Sequence, residues 1–284
     1  MKRESLRKSQ DSSSDDDSSK GRIKSGKTEK ERGKRKLNEK LLDNLAIACL
    51  SVCFRDKRVK LTDDRFSATG HRGYTTVLGT HAATRGKWYF EVTVVDLNNK
   101  EGHVRLGWST RRSRYDMPIG SDIFSFAIRD ECGEKVVQGC RFRYADVSVK
   151  EGDIVGCYLT LPDDGMNNVS IDYEDPTWTP GLLCDPQYPP IPSILPNSEI
   201  EWSINGQRFG KAFTNLVEGA YYPAISLFMK AKVDANFGPS FSNQPENGFR
   251  AVAELFDPHS HLKPARRPPT FLPRGYLAEQ QQRQ

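Results

Sequence analysis

The sequence predicts an all-β protein, an antiparallel β-sandwich, and three observations carry that prediction. From about residue 50 to about residue 240 the apolar residues recur with period two rather than 3.6. The alternating runs are short and separated by Gly, Pro, Asn and Asp, including Asn205-Gly206, the strongest short hairpin signal. No long helical stripe lies between them, so the strands are expected to pair through turns rather than through helical crossovers.

Taken in order, residues 37–54 mix two patterns. Leu37, Leu41, Leu42, Leu45 and Cys49 fit a helical stripe, whereas Leu50, Val52 and Phe54 alternate, so a short helix followed by a strand is expected. Trp88, Phe90, Val92 and Val94 share one face of a strand, with Tyr89, Glu91 and Thr93 on the other. Val104, Leu106 and Trp108 alternate with Arg105 and Gly107, and Phe124, Phe126 and Ile128 with Ser125, Ala127 and Arg129. Ile154 to Leu161 is apolar on both faces, as a central strand would be. Ile200, Trp202 and Ile204 run into the hairpin signal, and Tyr221 to Phe228 and Lys232 to Phe237 read as two further strands. Residues 162–197 hold eight prolines and read as a long insertion loop. Gly248 to Phe256 is expected to make two helical turns, stopped by Pro258.

Charge divides the 284 residues into the same parts. Residues 1–40 hold 14 basic and 8 acidic residues and no aromatic one, so they cannot offset their ordering entropy and read as a disordered charged tail. The sandwich is expected over residues 41–245. Residues 246–284 read as the short helix and a disordered basic tail rich in Pro and Gln. The whole chain carries +5 at pH 7, but residues 41–258 carry −5 between two basic ends. A body of that sign is a poor duplex-DNA platform, so weak contact with DNA or nucleosomes is expected only from the tails. Met1 to Ser9 is charged rather than signal-like, and no apolar stretch reaches the roughly 18 residues that span a bilayer, so an intracellular chain without membrane contact is expected.

The chemistry-bearing patterns point away from catalysis. There is no phosphate-binding Gly loop, no G-x-S-x-G and no H-E-x-x-H. Asp63-Asp64 and Asp163-Asp164 fall in turn positions, where Asp bonds the local backbone. The six cysteines include no C-x-x-C pair, so free thiols are expected rather than a metal site, and no cofactor is implied. In the tail, Ser12, Ser13 and Ser14 each precede an aspartate by three residues, a spacing suited to acid-directed phosphorylation. Lys34, Arg35 and Lys36 form a candidate nuclear import signal. If Leu106 and Ile128 point inward, then Arg105 and Arg129 point outward from consecutive strands and could clamp a carboxylate. Two unrelated solvated arginines remain the alternative.

Several separated motifs carry a resemblance. Arg85-Gly86-Lys87-Trp88-Tyr89-Phe90-Glu91-Val92 followed by Arg105-Leu106-Gly107-Trp108-Ser109 resembles a SPRY/B30.2 domain. Leu61 to Arg65, Gly73-Tyr74, Glu218 to Phe228 and Asn236 to Pro239 narrow the resemblance to the SPRY domain of the Ash-two (absent, small or homeotic discs) trithorax-group family, over roughly residues 50–250. That resemblance implies a nuclear, non-catalytic adaptor of COMPASS-type complexes that methylate lysine-4 of histone H3. In the family a basic pocket holds an acidic segment of a WD-repeat (retinoblastoma-binding) subunit, which supports the SET-domain methyltransferase in transcription regulation. The pocket positions fall on Tyr74, Arg105, Pro118, Ser121 and Arg129. Ser121 stands where the family has a second tyrosine, which removes an aromatic wall.

Two departures and one alternative accompany the resemblance. The family's zinc-bearing and winged-helix region has no counterpart in these residues. Gly248 to Glu254 resembles the start of the helix that binds the Dpy-thirty dimer, but Pro258 leaves too few groove anchors, so weak or absent binding is expected. The alternative is a SPRY substrate receptor or scaffold for another complex, such as a ubiquitin ligase. A lectin-like jelly roll would need an exposed aromatic platform and an acid pair, neither of which is evident.

Overall fold

The computed structural model describes residues 47–163, 194–246 and 248–255. Most of the charged tail, the insertion loop and the C-terminal tail lie outside them. So do Ser12, Ser13, Ser14, Lys34, Arg35 and Lys36.

Two antiparallel sheets face each other across one core. The first runs in the order β1 (Leu50–Arg55), β4 (Thr75–Gly79), β13 (Tyr222–Phe228), β6 (His103–Ser109), β7 (Ser125–Arg129), β8 (Lys135–Val137) and β9 (Cys140–Phe142). The second runs β12 (Gln207–Thr214), β11 (Glu199–Ile204), β10 (Ile154–Leu161), β5 (Gly86–Asp96), β14 (Lys232–Asn236), β3 (Ser67–Thr69) and β2 (Lys60–Leu61). A two-residue strand, β15 (Arg250–Ala251), pairs in parallel with β5. The two-sheet sandwich agrees with the alternation, and β10 lies between β5 and β11 as its two apolar faces require.

Alternation places the core. Phe90 and Val92 from β5, Leu106 and Trp108 from β6, Phe126 from β7 and Trp202 from β11 are all buried in one apolar cluster. Phe90 meets Trp108 edge to face at 5.0 Å, and Trp202 meets Phe213 at 5.9 Å. Asn205 and Gly206 take φ of 51° and 82°, the backbone of a two-residue hairpin between β11 and β12.

A second, smaller cluster lies outside the first sheet. Leu78, Ala127, Val136, Tyr222 and Ala224 pack there with Ile119, which the connection between β6 and β7 brings back over the sheet. Hydrogen bonds to hydroxyl groups help tie that connection down. Thr76 Oγ1 donates to the Met117 carbonyl at 2.7 Å, Ile119 N–H to Ser226 Oγ at 2.8 Å, and Gly120 N–H to Ser125 Oγ at 2.8 Å.

The C-terminal expectation is corrected here. Residues 248–255 do not form two helical turns. They form β15 and a single 3-10 turn, Val252–Glu254. The cause is an open sheet edge: β14 pairs with β5 only from Glu91 to Asp96, and β15 takes the free stretch at Trp88 and Tyr89. Satisfying those backbone groups outweighs local helix preference. Likewise Ile47 to Cys49, at the end of the expected N-terminal helix, are non-helical and lead straight into β1.

Candidate functional site

The registers of β6 and β7 put Arg105 directly opposite Arg129. Both side chains leave the outer face of the seven-stranded sheet, since the neighbours Leu106 and Ile128 are in the core. The expected juxtaposition is therefore present. The expected exposure is not, because each arginine is only 7 % exposed. The folded-back connection between β6 and β7 supplies the cover, and the Ile119 carbonyl accepts a bond from Arg105 Nη1 at 3.1 Å.

The wall on the other side is Tyr74. The Arg105 guanidinium carbon lies 5.3 Å from the centre of the Tyr74 ring, within cation–π range. Tyr74 packs on Phe228 at 4.8 Å, Phe228 on His103 at 6.0 Å, and His103 Nδ1 lies 2.8 Å from Asp130 Oδ2. This chain of contacts fixes the ring from behind. Burial pushes the Tyr74 hydroxyl above its ordinary range, so it stays protonated. Burial likewise holds Arg105 below the usual guanidinium value, partly offset by Tyr74, with the like charge of Arg129 adding to the lowering. No carboxylate among the described residues pairs with Arg105, and its Nε has no bonding partner. A buried cation without a counter-charge suits an anion.

Pro118 and Ser121 bracket a four-residue turn beside Arg105. Ser121 N–H donates to the Pro118 carbonyl at 3.2 Å, and Gly120 takes φ of 80° at the third position. A Cβ at Gly120 would lie 2.7 Å from the Val136 carbonyl oxygen, so this turn needs glycine. Ser121 is half-buried and carries no ring, and the exposed Met117 lies just before the turn.

Arg129 differs from Arg105, and here the sequence reading missed two residues. Arg129 Nη1 donates to Glu134 Oε2 at 2.5 Å, and Nη2 pairs with Glu131. Burial alone would lower the Arg129 pKa, but these carboxylates outweigh it and raise the guanidinium above its ordinary value. Glu131 and Glu134 stand two and five residues after Arg129, around Gly133. A hairpin turn assigned to residues 130–134 would have brought both acids back to Arg129.

The two-sheet antiparallel sandwich is the architecture of the SPRY class. Residues 87–167 match the SPRY domain family. The chain is an Ash2-like SPRY protein. It is 35 % identical over 205 residues to the Set1/Ash2 histone methyltransferase complex subunit ASH2 of Drosophila melanogaster, a match covering 68 % of this chain and 36 % of the relative. It is 30 % identical over 225 residues to the Set1/Ash2 histone methyltransferase complex subunit ash-2 of Caenorhabditis elegans, covering 72 % of this chain and 39 % of that one. It is also 29 % identical over 208 residues to the ATP-dependent RNA helicase Ddx1 of Drosophila melanogaster, covering 72 % of this chain and 22 % of the helicase. The chain thus spans less than two-fifths of the length of each of these relatives.

Proposed function

We propose that this chain is a non-catalytic adaptor subunit of a nuclear Set1/COMPASS-type histone methyltransferase complex. On this reading Tyr74, Arg105, Arg129 and the Pro118–Ser121 turn bind an acidic segment of the WD-repeat (retinoblastoma-binding) subunit and so support the SET-domain methyltransferase. One observation carries it: Arg105 is buried beneath Tyr74, opposite Arg129, without a carboxylate partner among the described residues. The relatives' membership of histone methyltransferase complexes supports the choice of complex.

The test has two parts. A fluorescent Asp/Glu-rich peptide should bind the full chain, with affinity falling as salt rises. Affinity purification from nuclei should return WD-repeat and SET-domain subunits. A chain that purifies without them and ignores the peptide would end this reading. The similarity to Ddx1 favours a second one, in which the SPRY unit serves as receptor or scaffold in a different assembly. Copurifying cullin components would select its ubiquitin-ligase form.

A further inference from the structure

The two arginines face the same space but stand in opposite electrostatic states. Arg105 is open to a counter-charge, whereas both terminal nitrogens of Arg129 are already engaged by Glu134 and Glu131. A pocket that awaits an acidic ligand therefore already holds two acidic side chains of its own.

Those side chains sit on a rigid support. Arg129 N–H donates to the Glu134 carbonyl at 2.9 Å, closing the turn between β7 and β8. Val149 N–H donates to the Asp130 carbonyl at 2.8 Å, Ala145 N–H to the Gly133 carbonyl at 3.1 Å, and Cys132 N–H to Ser148 Oγ at 3.0 Å. Gly133 takes φ of 58°, and a Cβ there would come within 2.6 Å of Ala145 Cβ. The backbone is held, but the acids are accessible: the Glu131 side chain is 53 % exposed and that of Glu134 31 %, against 8 % for Arg129. The carboxylates are the parts that can swing away.

We propose that Glu131 and Glu134 are an intramolecular competitor for the ligand of this pocket, so that an acidic segment engages Arg129 only by exchanging ion pairs with them. The inference rests on the acidic-peptide reading above and names the residues that set its threshold. With both glutamates in place, the charges of Arg105, Arg129, Glu131 and Glu134 sum to zero. A lone carboxylate at Arg129 gains no more than it displaces. A segment with several clustered acids also reaches Arg105, and that contact has no intramolecular rival among the described residues. Selectivity for clustered acids follows from what the pocket already contains.

The test compares the full chain with the Glu131→Gln/Glu134→Gln double variant, whose amides match the glutamates in shape and still accept bonds from Arg129. The probe is a fluorescein-labelled peptide of six consecutive glutamates, read by anisotropy at low and high salt, with thermal melting to verify the fold. Two partly exposed ion pairs imply an affinity gain of roughly three- to thirtyfold in the double variant at low salt. That gain should shrink in high salt, because the variant pocket carries two more net positive charges. Arg129→Ala should cost less in the parent chain than in the double variant, since the guanidinium is capped in the first and free in the second. If the double variant unfolds, Glu131→Gln alone, at the more exposed acid, carries the same test with a smaller gain. Binding by the variant but not by the parent would support the inference. Parent binding with no tighter binding in any of the glutamine variants would overturn it while leaving the acidic-peptide reading intact. Absence of binding in the parent and all variants would overturn that reading and the inference with it.

Discussion

Arg105 is buried without a carboxylate partner among the described residues. Its guanidinium has lost most of its water, one terminal nitrogen is held by the Ile119 carbonyl, and Tyr74 covers one face. An incoming carboxylate would supply the charge-assisted bond that the buried cation lacks. Arg105→Ala is therefore expected to weaken acidic-peptide binding by about 1.5–3 kcal/mol, the scale of a bond to a charged group. Titration by anisotropy would measure it, and unchanged affinity in a folded variant would place the pocket elsewhere. Ser121→Tyr is expected to act in the opposite direction. A ring restored beside the Pro118 turn would add an aromatic wall worth about 0.5–1 kcal/mol, a few-fold in affinity by the same assay. The orientation of both arginines was legible in the sequence, because period two fixes which face a strand residue takes. Their burial was not, because the cover is a long-range event: Ile119 is fastened by Ser226, 107 residues further on.

At the scale of elements, the segment after β14 shows how one buried acid can place a piece of chain. Glu91 of β5 is 1 % exposed, so its carboxylate must be satisfied by the protein. Ser242 N–H and Asn243 N–H donate to its two oxygens at 2.9 and 2.7 Å, and the Tyr89 hydroxyl donates to one of them at 3.0 Å. Those bonds bring residues 241–243 onto the outer face of the second sheet, where Phe241 meets Tyr89 edge to face at 4.7 Å. Glu91→Gln puts an NH₂ where one backbone donor now points. The expected loss is about 1.5–3 kcal/mol of stability, with faster hydrogen exchange at Ser242 and Asn243. An unaltered melting temperature and unaltered exchange would refute it. Gly107, between Leu106 and Trp108, carries a separate packing constraint. A Cβ there would lie 2.2 Å from the Phe126 carbonyl oxygen, so Gly107→Ala should cost at least the 1–3 kcal/mol typical of overpacking, measured by urea unfolding. Strands β5, β6, β7 and β11 were readable from alternation, whereas β12 was implied only by the Asn205-Gly206 hairpin signal and β4 was not read. β2, β3, β8 and β9 were not readable, since two or three residues cannot display a period, and their pairing depends on neighbours distant in sequence.

Across the whole molecule, the arginine pocket and the C-terminal strand belong to different sheets. The pocket lies on the outer face of the seven-stranded sheet, whereas β15 is bound to β5 in the other. Substitutions at Arg105 should therefore leave the C-terminal segment in place, and the reverse. That separation bears on the Dpy-thirty dimer, for which the resemblance calls for an amphipathic helix. Here Arg250 and Ala251 are committed to the β5 edge, Arg250 stacks over the Trp88 ring at 4.1 Å, and Ala253 N–H donates to the Phe237 carbonyl at 2.9 Å. A helix beginning at Gly248 would have to give up these contacts first, at a cost on the order of 2 kcal/mol, or about thirtyfold in affinity. Pro258 then limits what the new helix could offer in return. Labelled Dpy-thirty dimer titrated with the full chain is expected to show no saturation below micromolar concentration. A free peptide of residues 244–262 has no sheet edge to leave, so it should bind no more weakly than the full chain. Submicromolar binding by the full chain would mean that the β5 edge does not hold this segment, and tighter binding by the chain than by the peptide would mean that the folded sandwich contributes to the contact.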